Sequence, residues 1–352
     1  MNGVIIVDKP AGWTSHDVVN RMRRILQQRS VGHLGTLDPL ATGVLPIVTG
    51  NLTRLAQFYS SSEKTYEGVI RFGFATNTYD ADGEPLDMDV GTAALGGPSC
   101  RRPDLNLENL QKLAAAFQGV IEQVPPPFSA KKIHGVPAYK LARKQQEVIL
   151  KPVQVEIKEF VILAVEGDRA RFRARVASGT YMRSVAHEMG QLLGSGAHLE
   201  ALRRTAVAEF DITQAHTLDE IESQIKICHS DPAPNCHPDR SIPLSKGVEC
   251  EVEEPVVSGH PGRTDLFVHP RELLPQFPSV TAADATAARI RSGRPVNLPE
   301  LSRARQVKVF HGQRNLIAIA TRVAGTLFHP KIVFVTETSR QPHGSSRAKR
   351  GI

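Results

Sequence analysis

Apolar positions along the chain change their period several times, and each change predicts an element. Residues 3–8, GVIIVD, are a near-continuous apolar run broken by Lys9-Pro10, which predicts a short buried strand. In TSHDVVNRMRRILQQ the apolar residues Val18, Val19, Met22, Ile25 and Leu26 recur at helical spacing, with Ser15 placed to cap the helix. The glycine-punctuated stretch VGHLGTLDPLATGVLPIVTG follows, and its last third, Val44 to Val48, is apolar enough for a strand. Asp38 then sits on the loop leading into that strand. KTYEGVIRFGFATNTYDADGEP predicts two strands and an acidic turn at Asp80-Ala81-Asp82-Gly83, and LENLQKLAAAFQG an amphipathic helix stopped by Gly119.

Further along, RARFRARV alternates strictly, with Phe172, Ala174 and Val176 on one face and Arg171, Arg173 and Arg175 on the other. This is a half-buried strand whose cationic outer face is either a solvated surface or a phosphate track. After Gly179 the spacing of Met182, Val185, Ala186, Met189, Leu192 and Leu193 predicts a helix closed by Gly194, which puts Arg183 on its first turn. Periodicity is lost from 226 to 274, as in a linker. It returns in SVTAADATAARIRSG, where Thr281 and Asp284 stand in capping-box order, and in the short strands QVKVF, NLIAIATRV and KIVFVTE. The expected organisation is a catalytic domain over 1–225, a linker or insertion over 226–274, a small β domain over 275–337 and a disordered basic tail over 338–352.

Composition narrows the class. Of 352 residues, 43 are Lys or Arg and 36 Asp or Glu, a formal charge of +7 that favours a polyanionic partner. The N-terminus lacks the pattern of a secretory signal and no window is apolar enough for a membrane span, so a cytoplasmic protein without membrane association is expected. Four cysteines in no paired framework fit a reducing compartment. Cys228-His229, Cys236-His237, Cys250 and His260 crowd one segment, but their spacing matches no standard zinc site, so no metal is expected. There is also no GK[ST] phosphate loop, no GxGxxG after the first strand, no HExxH and no GxSxG. The chemistry is expected to run without dinucleotide, ATP or metal.

The glycine loop carries the candidate chemistry. An Asp-Pro taken alone is an ordinary turn or cap. Here Gly32, Gly35 and Gly43 free the backbone for close approach, while Leu34, Leu37, Leu40 and Leu45 are placed to dry the surroundings of Asp38. A desolvated carboxylate needs a cation to stay ionised, and Arg183 can supply a bidentate guanidinium. Tyr66 is either a core aromatic or a ring that stacks on a nucleobase and offers its phenolic oxygen as a base.

GHLGTLDPLATGVL, together with EKTYEGVIRFGFATNTYDADGE, PPPFSAKKIHGVPAYKLAR, SGTYMRSVAHEMGQLLGSGAHLEALRRTAVAEF and TRVAGTLFHPKIV, resembles the bacterial tRNA pseudouridine synthases of the TruB family. The resemblance runs in order from residue 3 to about 336. It implies an α+β fold, with a mixed, mostly antiparallel catalytic sheet of pseudouridine synthase type and a small C-terminal PUA-like RNA-binding β domain. It also implies isomerisation of uridine 55 in the T loop of tRNA by base flipping, without a cofactor. Asp38 then matches the catalytic aspartate, Tyr66 the tyrosine stacked on the flipped uracil, and Arg183 the arginine paired with the aspartate. Leu202 matches a leucine lining the base pocket, His33 the motif histidine that helps hold the everted nucleotide, and Lys9 and Lys64 basic positions near the site. A guide-RNA-dependent synthase shares the aspartate motif but carries additional N-terminal sequence, so a stand-alone monomer acting on the tRNA T arm is the preferred expectation.

Overall fold

The apolar run becomes strand β1, Gly3–Lys9, and it pairs antiparallel with Thr42–Thr49, strand β3, from Gly3 opposite Thr49 to Lys9 opposite Gly43. The computed structural model describes residues 2–86, 105–129, 131–133, 136–138, 150–230, 266–299 and 304–334. Helix α1, Ser15–Ile25, forms where the 3.6-residue period predicts it. Its cap is Thr14 rather than Ser15: Thr14 and Asp17 make a capping box, worth about 1 kcal/mol. Ser15 is used differently. Its hydroxyl donates to the Leu37 carbonyl at 3.1 Å and accepts from the Leu37 amide at 2.8 Å, tying the helix start to the glycine loop.

The remaining elements of the first unit are β2 (Val31–His33), α2 (Ala56–Tyr59), β4 (Lys64–Phe72), α3 (Leu107–Ala116), β5 (Gly119–Gln123), the small hairpin β6 (Lys132–Ile133) and β7 (Val136–Pro137), β8 (Val153–Glu166), β9 (Arg169–Val176), α4 (Met182–Leu192), β10 (Ala197–Val207), β11 (Phe210–Asp211) and α5 (Leu218–Ser230). The large sheet runs β1-β3-β10-β4-β9-β8-β5, with β2 on β3 and β11 on β10. It is antiparallel except where β10 meets β3. That parallel contact covers only Arg203–Thr42 and Arg204–Gly43, while β2 takes the far end of the same β3 edge at Ile47–Thr49. The glycine loop lies between the end of β2 and the start of β3. Gly43 is obligatory there: its φ is +96°, and a Cβ would fall 2.2 Å from the Arg204 carbonyl oxygen.

Val18 and Met22 of α1, Leu110 of α3, Val185 and Met189 of α4, and Ile221 of α5 join the inward residues of β4, β8 and β9 in one core. The second sheet, ordered β12 (Ser279–Thr281), β14 (Gln306–His311), β15 (Asn315–Ala324), β16 (Leu327–Val333) and β13 (Val296–Asn297), carries helix α6, Asp284–Arg291. Thr281 does not cap α6, because it is the last residue of β12; the helix starts after Ala283, and Asp284 bonds His311 instead. A further core joins the two sheets through Ile6, Tyr59 and Phe210 on one side and Phe310, Ile319 and Phe334 on the other. The mixed, mostly antiparallel α/β architecture is as expected from the sequence. Of the aperiodic segment, α5 continues to Ser230, and Leu273 and Leu274 are fully buried. Residues 231–265 and the basic tail lie outside the described residues.

Candidate active site

The loop around Asp38 is held by buried cations bound to backbone carbonyls. Lys9, wholly buried at the end of β1, donates from Nζ to the carbonyls of Pro10 (2.9 Å), Trp13 (2.6 Å) and Pro39 (3.1 Å). Burial lowers its pKa to about 8, with the Asp38 carboxylate acting in the opposite direction. An ammonium with all three protons taken inside the protein is a loop anchor. Lys9, expected among the basic positions near the site, lies beside it: its amine supports Pro39, the neighbour of Asp38, and is buried.

Arg183 lies on the first turn of α4, as its spacing predicted, and is almost fully buried. Its Nε stands 2.9 Å from Asp38 Oδ2, but the N–H bond is not aimed at that oxygen, so the contact is Coulombic rather than a hydrogen bond. The remaining nitrogens face elsewhere. Nη1 donates to the Thr78 carbonyl at 3.2 Å and lies 3.5 Å from Asp80 Oδ2, and Nη2 donates to the Phe128 carbonyl at 3.1 Å. The bidentate fork expected on Asp38 is thus replaced by one arginine shared between two carboxylates and two carbonyls.

Asp80 was legible only as part of an acidic turn. Its side chain is buried, accepts from Thr78 Oγ1 and from the Asp82 amide, and is pushed above the usual carboxylate range by burial. Asp38, by contrast, keeps 41% of its side chain exposed. The dry leucine cavity expected around it does not form among the described residues. Leu34 belongs to the core between the two sheets, Leu45 is interior to β3, and only Leu37 and Leu40 stay with the loop.

Strands β4 and β10 bring the other predicted residues together. Tyr66 is directly opposite Arg204, and Leu202 opposite Gly68, so all four share one face of the antiparallel pair. Tyr66 and Leu202 are each just under a tenth exposed. Lys64, at the start of β4, is half-buried, donates to the Ser62 carbonyl at 2.7 Å, and has its pKa lowered to about 8 by burial and by Arg204. His33 ends β2 beside Gly35, whose amide lies 3.3 Å from His33 Nδ1; burial, then Arg204, lowers its pKa. Tyr181, just ahead of α4, is gripped by Gln123 through its own backbone amide and carbonyl, and burial raises its phenol, with Ser129 opposing and the nearby Asp38 charge adding to the rise.

The cationic stripe on β9 forms as an alternating exposed row. Part of it is paired with carboxylates. Arg173 binds Glu159 at 2.8 Å, Arg169 binds Glu200 at 2.7 Å and Asp168 at 3.1 Å, and Arg173 also faces Glu67 across β4. Arg171 and Arg203 line a cavity of about 430 Å³ with Glu67, Glu200, Leu40 and Leu202. No group of three or more metal-ligating side chains occurs among the described residues, and Cys236, Cys250, His237 and His260 lie outside them. No helix among the described residues is long and apolar enough to cross a membrane.

Comparison with known proteins adds an independent line. Residues 23–182 match the TruB family pseudouridylate synthase N-terminal domain, and 183–236 the tRNA pseudouridylate synthase B C-terminal domain. The chain is 44% identical to the tRNA pseudouridine synthase B of Solibacter usitatus, over 95% of this chain and 100% of that one. It is 43% identical to the protein of the same name from Opitutus terrae, over 63% of this chain and 88% of that one. Among solved structures, a Cbf5-Nop10-Gar1 complex aligns over 95% of this chain and 85% of that one with a TM-score of 0.60 at 22% identity. An H/ACA ribonucleoprotein bound to a substrate RNA aligns over 96% of this chain and 86% of that one at 0.59 and 21%. At that identity the structural likeness speaks to fold alone. An acid held by a buried arginine on the GxLDPLATG loop, in a chain alike end to end with a curated relative, leads to one conclusion: it belongs to the TruB family of pseudouridylate synthases and is an isomerase.

Proposed function

We propose that this isomerase converts uridine 55 in the T loop of tRNA to pseudouridine, with Asp38 as nucleophile, and that the Asp38–Arg183 contact at 2.9 Å is the observation that carries the reading. The reaction breaks the N1–C1′ bond and joins C5 to C1′. One proton leaves C5 and one is gained at N1, so atoms and electrons balance without a cofactor. A carboxylate on the sugar side either adds to C1′ or assists departure of the uracil through a glycal, and both routes need it ionised. Arg183 places a positive charge 2.9 Å from that carboxylate, and water reaches its exposed part. Tyr66 takes the C5 proton directly or through water.

A stacked uracil is out of reach of a group on this loop, so the nucleotide must be flipped out, at a cost of a few kcal/mol offset by pocket contacts. Tyr66 and Leu202, side by side on β4 and β10, supply an aromatic and an aliphatic surface for the extruded base. Lys64 and His33 beside the loop provide cationic and hydrogen-bonding contacts for the everted T-loop nucleotide. The second sheet, with Arg305, His329 and Lys331 along an open groove, acts in this reading as the PUA-like RNA-binding part. The enzyme works as a cytoplasmic monomer on the T-arm stem-loop and needs no guide RNA.

The test is release of tritium from a T-arm transcript labelled at uridine C5, with the protein as sole catalyst. Label is expected to leave uridine 55 alone, and a transcript with cytidine at that position should release none. Silence with the intact transcript, or equal release from the substituted one, contradicts the assignment.

A further inference from the structure

Arg204 is the largest fully buried side chain of the described residues, and neither the resemblance nor the reaction as written gives it a task. Its partners are neutral oxygens. Nε donates to the Val44 carbonyl at 2.8 Å, Nη1 to the Thr36 carbonyl at 3.1 Å, and Nη2 to the Gly35 carbonyl at 3.0 Å, and Tyr66, directly opposite on β4, interacts with the guanidinium electrostatically. A guanidinium taken fully out of water is costly to fold around, and apolar residues of similar volume often replace buried charges without loss. What the charge obtains here is the loop. Gly35 and Thr36 precede Asp38 by three and two residues, and Val44 follows it by six, so one planar fork grips both arms of the segment that carries the carboxylate.

The place of each contact explains the fork. The β3 edge is paired by β10 at Thr42–Gly43 and by β2 from Ile47, and the Val44 carbonyl falls in the gap between them. Arg204 fills that gap with a side chain where a strand would have used an amide. Its backbone lies directly opposite Tyr66, so the same residue reaches the phenol across the β4–β10 ladder. Lysine would not do this: a single ammonium lacks the fixed spread of donors that meets three carbonyls at once.

From this geometry we infer that Arg204 is a positioning residue for the isomerisation, fixing the Asp38 loop and the Tyr66 hydroxyl relative to each other through one buried guanidinium. The inference rests on the roles proposed above for Asp38 and Tyr66. It predicts a loss confined to the chemical step, because the guanidinium faces the protein interior and not the RNA.

The experiment measures three quantities on Arg204→Lys, Arg204→Met and Gly35→Ala: single-turnover tritium release at saturating enzyme, tRNA affinity by filter binding, and melting temperature. Ile162→Ala, in the core away from the loop, serves as a variant that is destabilised without touching the fork. The expected result is a release rate lower by more than about 30-fold for Arg204→Lys and lower again for Arg204→Met, with tRNA affinity within about threefold of wild type. Ile162→Ala should lose melting temperature but keep its rate. Gly35→Ala, which alters the gripped loop at a φ of +136° without removing a buried side chain, should show the same rate-only loss if the arginine variants fail to fold. Also, Tyr66→Phe should cost less in the Arg204→Lys background than in wild type. Rates within about twofold of wild type for the folded fork variants overturn the inference, as does a loss matched by Ile162→Ala at equal stability. If wild type releases no tritium, or Asp38→Asn releases it normally, the proposed function itself fails, which separates that failure from this one.

Discussion

Arg169, Arg171, Arg173 and Arg175 project from β9 into a surface lined with Glu159, Glu200, Glu67 and Asp168, whereas Lys9, Lys64 and Arg204 crowd the loop around Asp38 with backbone carbonyl oxygens as their hydrogen-bond partners. Both regions contribute to the basic balance of the chain. On β9 the charges of Arg169 and Arg173 are met locally by surface carboxylates, and exposed pairs of this kind contribute little. Around the loop burial is the first cause of the lowered pKa values of Lys9, Lys64 and His33, and the Arg204 charge adds to it. A phosphate brought close would relieve that repulsion. Density of basic residues in a sequence therefore does not by itself locate a polyanion.

The comparison can be broken at several points, the largest effect lying at the loop. Arg183→Lys keeps a charge but cannot serve Asp38, Asp80, Thr78 and Phe128 together, so single-turnover release should fall roughly 100-fold, about 2.7 kcal/mol in the barrier. Unchanged turnover would mean that the shared arginine is incidental. Asp80→Asn, which leaves Arg183 one carboxylate instead of two, should lower the same rate about tenfold with tRNA binding intact. A variant as fast as wild type would remove Asp80 from the network.

Smaller effects fall on binding. Lys64 is charged below a pKa of about 8, so its attraction for phosphate is present at pH 7 and is lost as pH rises through 8. At constant ionic strength the tRNA affinity of wild type should weaken about fivefold between pH 7 and 9, and Lys64→Gln should be weaker at pH 7, flat over that range, and lower in salt slope by about one. A parallel pH dependence in both proteins would show that Lys64 does not meet the RNA. At the far end, Arg173→Gln should change affinity by less than about twofold, since Glu159 already holds that guanidinium. If Arg173→Gln proves more damaging than Lys64→Gln in filter binding, the contrast between the two regions is wrong.

Much of the fold was legible where one face of an element is buried and the other wet. The helical spacing of Val18, Val19 and Met22 and the strict alternation of RARFRARV both became the elements they predicted. Strand β10 escaped notice, because shifts in register between Leu199 and Ala201 and between Arg204 and Ala206 interrupt the alternation that would have marked it. The same strand hid Arg204, since an Arg-Arg pair reads as surface until the β3 edge between β10 and β2 is seen to be unpaired at Val44. Asp38 and Arg183 were paired through motif resemblance, and no spacing rule could have brought Asp80 to the same guanidinium. The leucines of the glycine loop misled for a physical reason: Leu34 and Leu45 lie within or next to paired strands, which turn them into cores rather than toward the carboxylate.

The central claim is that the carboxylate of Asp38 performs the isomerisation. Its most direct test is single-turnover tritium release by Asp38→Asn, alongside filter binding of the same tRNA. The amide keeps the size and loses the charge, so release should fall below detection while affinity stays within about threefold of wild type. Full release by the bound variant would contradict the account.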